Sequence, residues 1–439
     1  MKEDRSLTSQ WWQGIPLYLQ IAIALIFAIA IGILLGAGNP DPNHINLINN
    51  LAIPCDLVLR ILRTLATPLI FLAVLHTFIT VNIPDPAARR LIVLILTNTN
   101  VAILVGLLVA NTLKPGRWGA IDAPFDISET VPKLDFWKLL QDSVPNSLIQ
   151  PFIENNVLQI IIISLCLGIA LRALKTENIS QNKLEYQAIE QVISILFQAV
   201  IRIIEWVIVL IPVAVFGIVA KTIALQGFAP FKSLSAFIIA VLLALFLQAC
   251  YYLIRVQFGS WVSAKNFLFG GVDALITAFS TSSSTITIPV TFRVLQEKIG
   301  LKESSASLGA LVGSNFNHDG TALYEAMAAL FVSQVIGQNL SVPQQFIIVL
   351  TSIFASVGAA GIPNAGLVTM TLVFSSVGLP TEYIALLVTV DWFLDRCRTA
   401  INVMGDMTVS VLLDDSKIKE DMELNSKQKL PIYSDEKTV

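Results

Sequence analysis

"FGGVDALITAFSTSSSTITIPVTF" (269–292) decides how the second half of this chain is read. Two short apolar arms flank a hydroxyl-rich tip, "STSSST" (280–285), and Pro289 interrupts the second arm. Arms of about ten residues fall well short of the roughly 20 apolar residues that a spanning helix needs. The segment therefore reads as a helical hairpin that enters the membrane and turns back. Its tip must be buried in protein or line a cavity, because lipid offers the backbone no hydrogen-bond partners. "FIIVLTSIFASVGAAGIPNAGLVTMTLVFSSVGLP" (346–380) repeats the plan, with a Gly/Ala tip at 358–366.

A helix carrying intramembrane charge follows each hairpin: "SNFNHDGTALYE" (314–325) after the first and "VDWFLDRCRTAINVMGD" (390–406) after the second. A hairpin and a charged helix, occurring twice, form the inverted internal repeat of a secondary transporter, whose site is built from broken helices near the membrane midplane.

Composition supports a membrane setting. The 439 residues are 55% hydrophobic and 13% charged, against roughly 25% charged in a soluble domain. Candidate spans lie near 16–37, 57–80, 90–113, 155–174, 200–224 and 233–255. With the two charged helices they give an all-α polytopic membrane protein of eight transmembrane helices plus two re-entrant helical hairpins. Arg60 and Arg63, early in the second span, are placed to snorkel to the interface. Lys2 and Arg5 precede the first span and predict a cytoplasmic N-terminus over 1–15. No small-residue cleavage site follows, so the first span reads as retained, and Trp11 and Trp12 suit an interfacial belt. The polar, Pro-rich stretch 114–146 reads as an external loop, and the amphipathic stretch 176–197 leads into the next helix from the interface. The charged tail 415–439 reads as disordered and cytoplasmic. A net charge of -3 gives no basic footprint for nucleic acid. Cys55, Cys166, Cys250 and Cys397 lie singly, with no spacing for a disulfide framework or a transition-metal site, and no cofactor is expected.

The chemistry concentrates on 391–406. At 100° per residue, Asp391, Asp395, Arg398, Asn402 and Asp406 fall at about 0°, 40°, -20°, 20° and 60°, one stripe with Thr399 at its edge. Arg396 points elsewhere, at about 140°. Each charge at the bilayer centre costs at least about 2.5–3.5 kcal/mol, so the stripe faces the protein interior. An ion pair between Asp395 and Arg398, three residues apart, accounts for part of it. Three carboxylates against one guanidinium still leave acid unpaired, to be balanced by an amino group, a metal cation or a proton. Arg398 matches a carboxylate in its planar fork. A site offering Arg for a carboxylate and Asp for an ammonium is complementary to an acidic amino acid. Helix N-termini opening from the Ser-rich tip would attract a carboxylate too. No G-x-S-x-G elbow is present, so a serine hydrolase lacks its nucleophile motif.

"NHDGTALYEA" (317–326), "SVGAAGIPNAGLVTM" (356–370) and "VDWFLDRCRTAINVMGD" closely resemble signature segments of the glutamate transporter family, the dicarboxylate/amino acid:cation symporters. The last two look closer to animal excitatory amino-acid transporters than to archaeal aspartate transporters, and the segment order is similar from about residue 16 to 414. The resemblance implies a homotrimer in the plasma (inner) membrane, working by an elevator motion. Residues 16–260 would be mainly scaffold and trimerisation helices, with the third helix near 88–113 joining the transport domain, and 261–414 the transport core. Arg398 would hold the substrate side-chain carboxylate, Asp395 and Thr399 the amino group, and Asn402 the α-carboxylate. Ser284 and Gly361 would contribute backbone contacts from the two tips, and Thr321 would sit near the substrate side chain. The hairpin at 346–380 would be the extracellular gate. Archaeal members carry an arginine where this chain has Ser282, whereas animal members carry one where it has Arg396. Glu325 matches the glutamate associated with proton coupling in the animal acidic transporters.

Departures from the family pattern bear on the ions. Members that use sodium usually read N-M-D-G-T, where this chain has His318. A tyrosine and two hydroxyl residues that line one sodium site correspond here to Ile95, Asn98 and Thr99. Asp319 and a possible sodium site at Gly313, Asn317, Asn402 and Asp406 remain, with Asp391 and Arg396 as neighbouring charges. His318 reads as a neutral, hydrogen-bonded packing residue or as a protonated group that replaces a sodium ion and carries a proton; metal ligation is disfavoured because no His/Cys spacing lies nearby. Glu325 is an independent proton candidate. His44 and His76 read as structural. The expectation is a transporter of L-glutamate and/or L-aspartate, not an enzyme, that is proton-linked or sodium-independent. Sodium-coupled symport, a C4-dicarboxylate substrate and a gated anion channel are the competing readings.

Overall fold

The computed structural model describes residues 17–80, 85–118, 144–154, 156–180, 185–358, 361 and 365–414. The expectations for 1–15, for most of loop 114–146 and for 415–439 lie outside these residues. All regular elements among the described residues are helical. The first half contains α1 (Leu17–Leu34), α2 (Ile53–Thr80), α3 (Asp85–Leu113), α4 (Val157–Ser180), α5 (Glu185–Ile208), α6 (Ile211–Gln226) and α7 (Ala229–Gly259). The second contains α8 (Ala264–Thr281), α9 (Ser284–Arg293), α10 (Asp319–Val335), α11 (Val342–Gly358), α12 (Ala365–Ser376) and α13 (Ile384–Leu413). Among the described residues, four helical stretches are long and apolar enough to cross a membrane: Pro42–His76, Arg89–Arg117, Tyr186–Ile208 and Ala229–Gly259.

Two first-half expectations differ from the structure. The span expected at 200–224 is divided, because α5 stops at Ile208 and α6 starts at Ile211. Pro212 lies in the first turn of α6, where its missing N–H costs nothing and its fixed φ suits a helix start, while its ring and missing donor disfavour continuing the helix before it. The amphipathic stretch expected to approach from the interface runs partly into α5, whose Ile189, Val192, Ile195 and Trp206 are uncovered by the rest of the chain. Arg63 donates to Thr381 Oγ1. His76 stacks on Phe197 at 5.0 Å, a packing role.

Both hairpins form. Ser282, at φ 52°, ends α8 in the left-handed region, and extended Ser283 then caps α9 by accepting from the Ile286 amide at 3.2 Å. Arg396, on the side of α13 away from the stripe, donates to the Phe279 and Ser280 carbonyls at 3.0 and 2.7 Å. It thereby satisfies carbonyls at the end of α8 and opposes the negative pole of that helix. The second hairpin is α11 and α12; of its tip, Gly361 is described.

Helix α10 is the centre of the second half. It is buried along nearly its whole length, from Asp319 to Ser333, and packs on α3, α11, α12 and α13. Phe237 of α7 meets Phe331 and Tyr324 of α10 with ring centroids 4.6 and 5.7 Å apart, contacts worth about 0.5–1.5 kcal/mol each beyond the area they bury. A buried helix carrying Asp319 and Glu325 needs each carboxylate answered by a neighbour.

Candidate functional site

The chain breaks before α10 at Asn317 and His318, with ψ of 68° and 53°. Gly320 lies just inside α10 and serves a close approach: a Cβ there would sit 2.7 Å from the Arg398 carbonyl and 3.2 Å from Asn402 Oδ1. That contact lets the Gly320 amide donate to Asn402 Oδ1 at 2.8 Å, while Asn402 Nδ2 donates to Thr321 Oγ1 at 3.2 Å. Helices α10 and α13 are thus joined at the level of the break.

The stripe read from α13 is a physical one. Asp391, Asp395, Arg398, Thr399, Asn402 and Asp406 are all buried. Arg398 Nη2 pairs with Asp395 Oδ1 at 2.7 Å and with Asp391 Oδ1 at 3.0 Å. The guanidinium lies over the Tyr324 ring at 4.0 Å, a cation–π contact strengthened by its lack of water. Gly366 of α12 lies against it, where a Cβ would be 3.0 Å from Nη1. Nε and Nη1 have no hydrogen-bond partner among the described residues. Burial of a guanidinium with two donors left over is costly unless an acceptor arrives.

A small cavity lies beside these groups, walled by Ser282, Ser284, His318, Thr321, Gly361, Ala365, Gly366, Asp395, Thr399 and Asn402. Six of the seven residues expected to hold substrate line it; Arg398 does not, and its guanidinium lies behind Gly366, which does. Its volume of about 10 Å³ is the space of about one water molecule. The two hairpin tips close it: Ser283 Oγ donates to the Gly361 carbonyl at 2.6 Å, and the Thr285 amide donates to the same oxygen at 3.2 Å. A ligand larger than water requires the tips to part.

His318 belongs to this cavity. Its Nδ1 lies 2.9 Å from the Ser356 carbonyl of α11, so the ring turns toward the second hairpin. Asp319, the next residue, points the other way. Its Oδ1 accepts from Thr99 at 2.6 Å and its Oδ2 from Tyr252 of α7 at 2.5 Å. Asn317 Nδ2 donates to Asp406 Oδ1 at 3.2 Å, and Gly313 packs so tightly that a Cβ would lie 2.6 Å from the same oxygen. Ile95 lies in an apolar cluster with Leu91, Val312 and Val409. Asn98 Oδ1 accepts from Arg255 Nη1. Glu325, six residues after Asp319 on α10, accepts from Thr369 of α12 through Oε1 and leaves Oε2 without a hydrogen bond among the described residues.

A sequence profile described as the sodium:dicarboxylate symporter family matches residues 17–416, nearly the whole chain. The chain belongs to that family. It is a family of symporters, not of enzymes. Among similar proteins, human excitatory amino acid transporter 1 is 36% identical over 256 residues, which cover 57% of this chain and 45% of that protein. Mouse excitatory amino acid transporter 4 is 36% identical over 264 residues, 59% of this chain and 45% of that protein. These matches span about half the length of the relatives. Rabbit excitatory amino acid transporter 3 is 27% identical over 447 residues, covering 88% of this chain and 83% of that protein.

Several groups in the core of the second half are not announced by the sequence: Tyr252 and Arg255 of α7, Tyr324, Ser283 and Thr369. For α7 a signal exists. Gln248, Tyr252 and Arg255 are spaced 4 and 3 apart and fall within about 60° on one helix face. Ser283, not only Ser284, holds the first tip, because the N-cap hydroxyl is the one free to reach across.

Proposed function

We propose that this chain carries acidic amino acids, L-glutamate and/or L-aspartate, across a membrane without requiring sodium. The observation that carries this reading is Arg398, buried with two free donors beside a closed cavity and flanked by Asp395 on the cavity wall. The guanidinium fork answers a substrate carboxylate, and Asp395, released from part of its pairing, answers the ammonium. Asn402 and Thr399 offer an amide and a hydroxyl on the same wall, and the α9 N-terminus opens toward it. A C4-dicarboxylate would bring a second acid against Asp395, which disfavours it.

The ion assignment rests on residue types. Ile95 supplies no ligand, Asn98 is engaged by Arg255, and His318 stands at the cavity. Glu325, held by Thr369 and close enough to Arg398 for the two charges to act on each other, is the proton carrier in this reading. A proton on Glu325 during one leg of the cycle and off it during the other couples transport to the proton gradient.

The wider architecture is part of the proposal: eight transmembrane helices and two re-entrant hairpins, an elevator motion of α3 with α8–α13, and a homotrimer in the plasma (inner) membrane. The uncovered apolar face of α5 supports contact with other copies or lipid. Uptake by purified protein in liposomes, with proton and sodium gradients imposed separately, tests the coupling. Concentrative uptake driven by protons is expected; uptake driven by sodium alone overturns it.

A further inference from the structure

The cluster around Asp319 contains a permanent cation. Both Asp319 oxygens are taken by neutral hydroxyls, Thr99 at 2.6 Å and Tyr252 at 2.5 Å. These satisfy hydrogen bonding and leave the negative charge uncompensated. A second carboxylate, Asp406, stands close enough to Asp319 for the two to repel each other. Carboxylate, hydroxyl and amide oxygens gathered in one buried place are the ligand types that hold hard cations.

Arg255 comes to this place from α7. Its Nη1 donates to Asn98 Oδ1 and to Tyr251 Oη, the latter at 3.1 Å. The guanidinium also stacks over the Tyr251 ring, 5.8 Å from the centroid, and its charge acts on Asp319. Gln248, nearly two turns earlier on the same face, reaches the Asn98 carbonyl at 3.5 Å. Both oxygens of Asn98 are therefore engaged by α7, and a free ion would have to displace α7 to use them. Ile95, one turn before Asn98, packs in an apolar cluster and offers no side-chain oxygen.

We propose that Arg255 is a tethered cation that does, at the Asn98–Thr99–Asp319 cluster, what a free monovalent cation would otherwise do, and so sets the ion specificity of transport. A guanidinium stays charged at every working pH. The cluster is linked to the cavity, since Asp319 precedes Gly320 and Thr321, both tied to Asn402. Compensating Asp319 from within the chain keeps the break in α10 ready for substrate with no sodium present. Arg255 touches neither substrate nor cavity, so its role is one of positioning and charge. The inference rests on the substrate reading above for its transport consequence, but not for its cation chemistry.

Full-length protein in nanodiscs tests both parts separately. Thermal melts without substrate compare sodium with choline at equal ionic strength. The wild-type midpoint is expected to be the same in both, whereas Arg255→Gln melts lower in choline and is raised by sodium or by low concentrations of methylguanidinium. Titrations with L-aspartate and L-glutamate follow. Wild-type affinity is expected to agree within about twofold between the two salts. Arg255→Gln is expected to lose at least about tenfold in choline and to regain it with either added cation. Arg255→Lys, which keeps the charge, stays indifferent to sodium and guards against a glutamine variant that does not fold. A wild-type midpoint or affinity that needs sodium overturns the proposal, as does a sodium-dependent Arg255→Lys or an Arg255→Gln defect that no cation repairs. Wild-type protein that binds neither amino acid, with the cation-dependent melting of Arg255→Gln intact, overturns the substrate reading alone.

Discussion

Ser283→Gly probes the closure of the two hairpin tips. In the closed cavity the Gly361 carbonyl accepts two bonds, from Ser283 Oγ at 2.6 Å and from the Thr285 amide at 3.2 Å. Loss of one such bond is worth about 1 kcal/mol, or about fivefold in the constant for parting the tips. Ser283 also caps α9 by accepting from the Ile286 amide at 3.2 Å. Glycine is a tolerated N-cap and costs only a few tenths of a kcal/mol there, whereas alanine costs about 1 kcal/mol. Ser283→Gly and Ser283→Ala therefore each part the tips about fivefold more often than wild type, and Ser283→Ala in addition frays the start of α9 whether the tips are joined or parted. Hydrogen–deuterium exchange of the substrate-free protein, followed by mass spectrometry on peptides spanning 280–290, reads the opening directly. Peptides from α10, buried on all sides, supply the internal reference. Wild-type exchange rates in Ser283→Gly, or an equal acceleration throughout α10, would refute the idea that this bond holds the cavity shut.

Two further substitutions test the binding and coupling groups. Arg398→Gln leaves Asp391 and Asp395 without their partner, and should weaken acidic amino acid binding by about 2–5 kcal/mol, thirtyfold or more; calorimetric affinity within threefold of wild type rules out a direct role. Glu325→Gln removes the one carboxylate that Thr369 holds and should abolish proton-driven accumulation while exchange at equal pH survives. Accumulation that still follows the imposed pH gradient in that variant excludes Glu325 as the carrier.

The parts of the fold that the sequence announced are those where polar groups interrupt apolar runs with a regular period. The two hairpins and the α13 stripe are of that kind, since Asp391, Asp395, Arg398, Asn402 and Asp406 recur at helical spacing and end up buried on one face. Side-chain direction at a break is different. His318 and Asp319 are adjacent in sequence, yet one faces Ser356 and the other Thr99 and Tyr252, because the backbone leaves the helix at Asn317. No periodicity rule applies across such a break. The division of the span at 200–224 has a visible cause in Pro212, which stands inside a long apolar run. The polar face of α7 was hidden in the same way, three residues within a helix that otherwise reads as a simple span.

Substrate class is the central claim, and competition in counterflow tests it most directly. Proteoliposomes preloaded with unlabelled L-glutamate or L-aspartate take up labelled substrate while unlabelled competitors are added outside. Both acidic amino acids are expected to suppress uptake and succinate, which lacks the ammonium that Asp395 would hold, to leave it nearly unchanged. Suppression by succinate equal to that by L-aspartate, or no saturable exchange of either amino acid, would contradict the assignment of Arg398 and Asp395 to the two ends of an acidic amino acid.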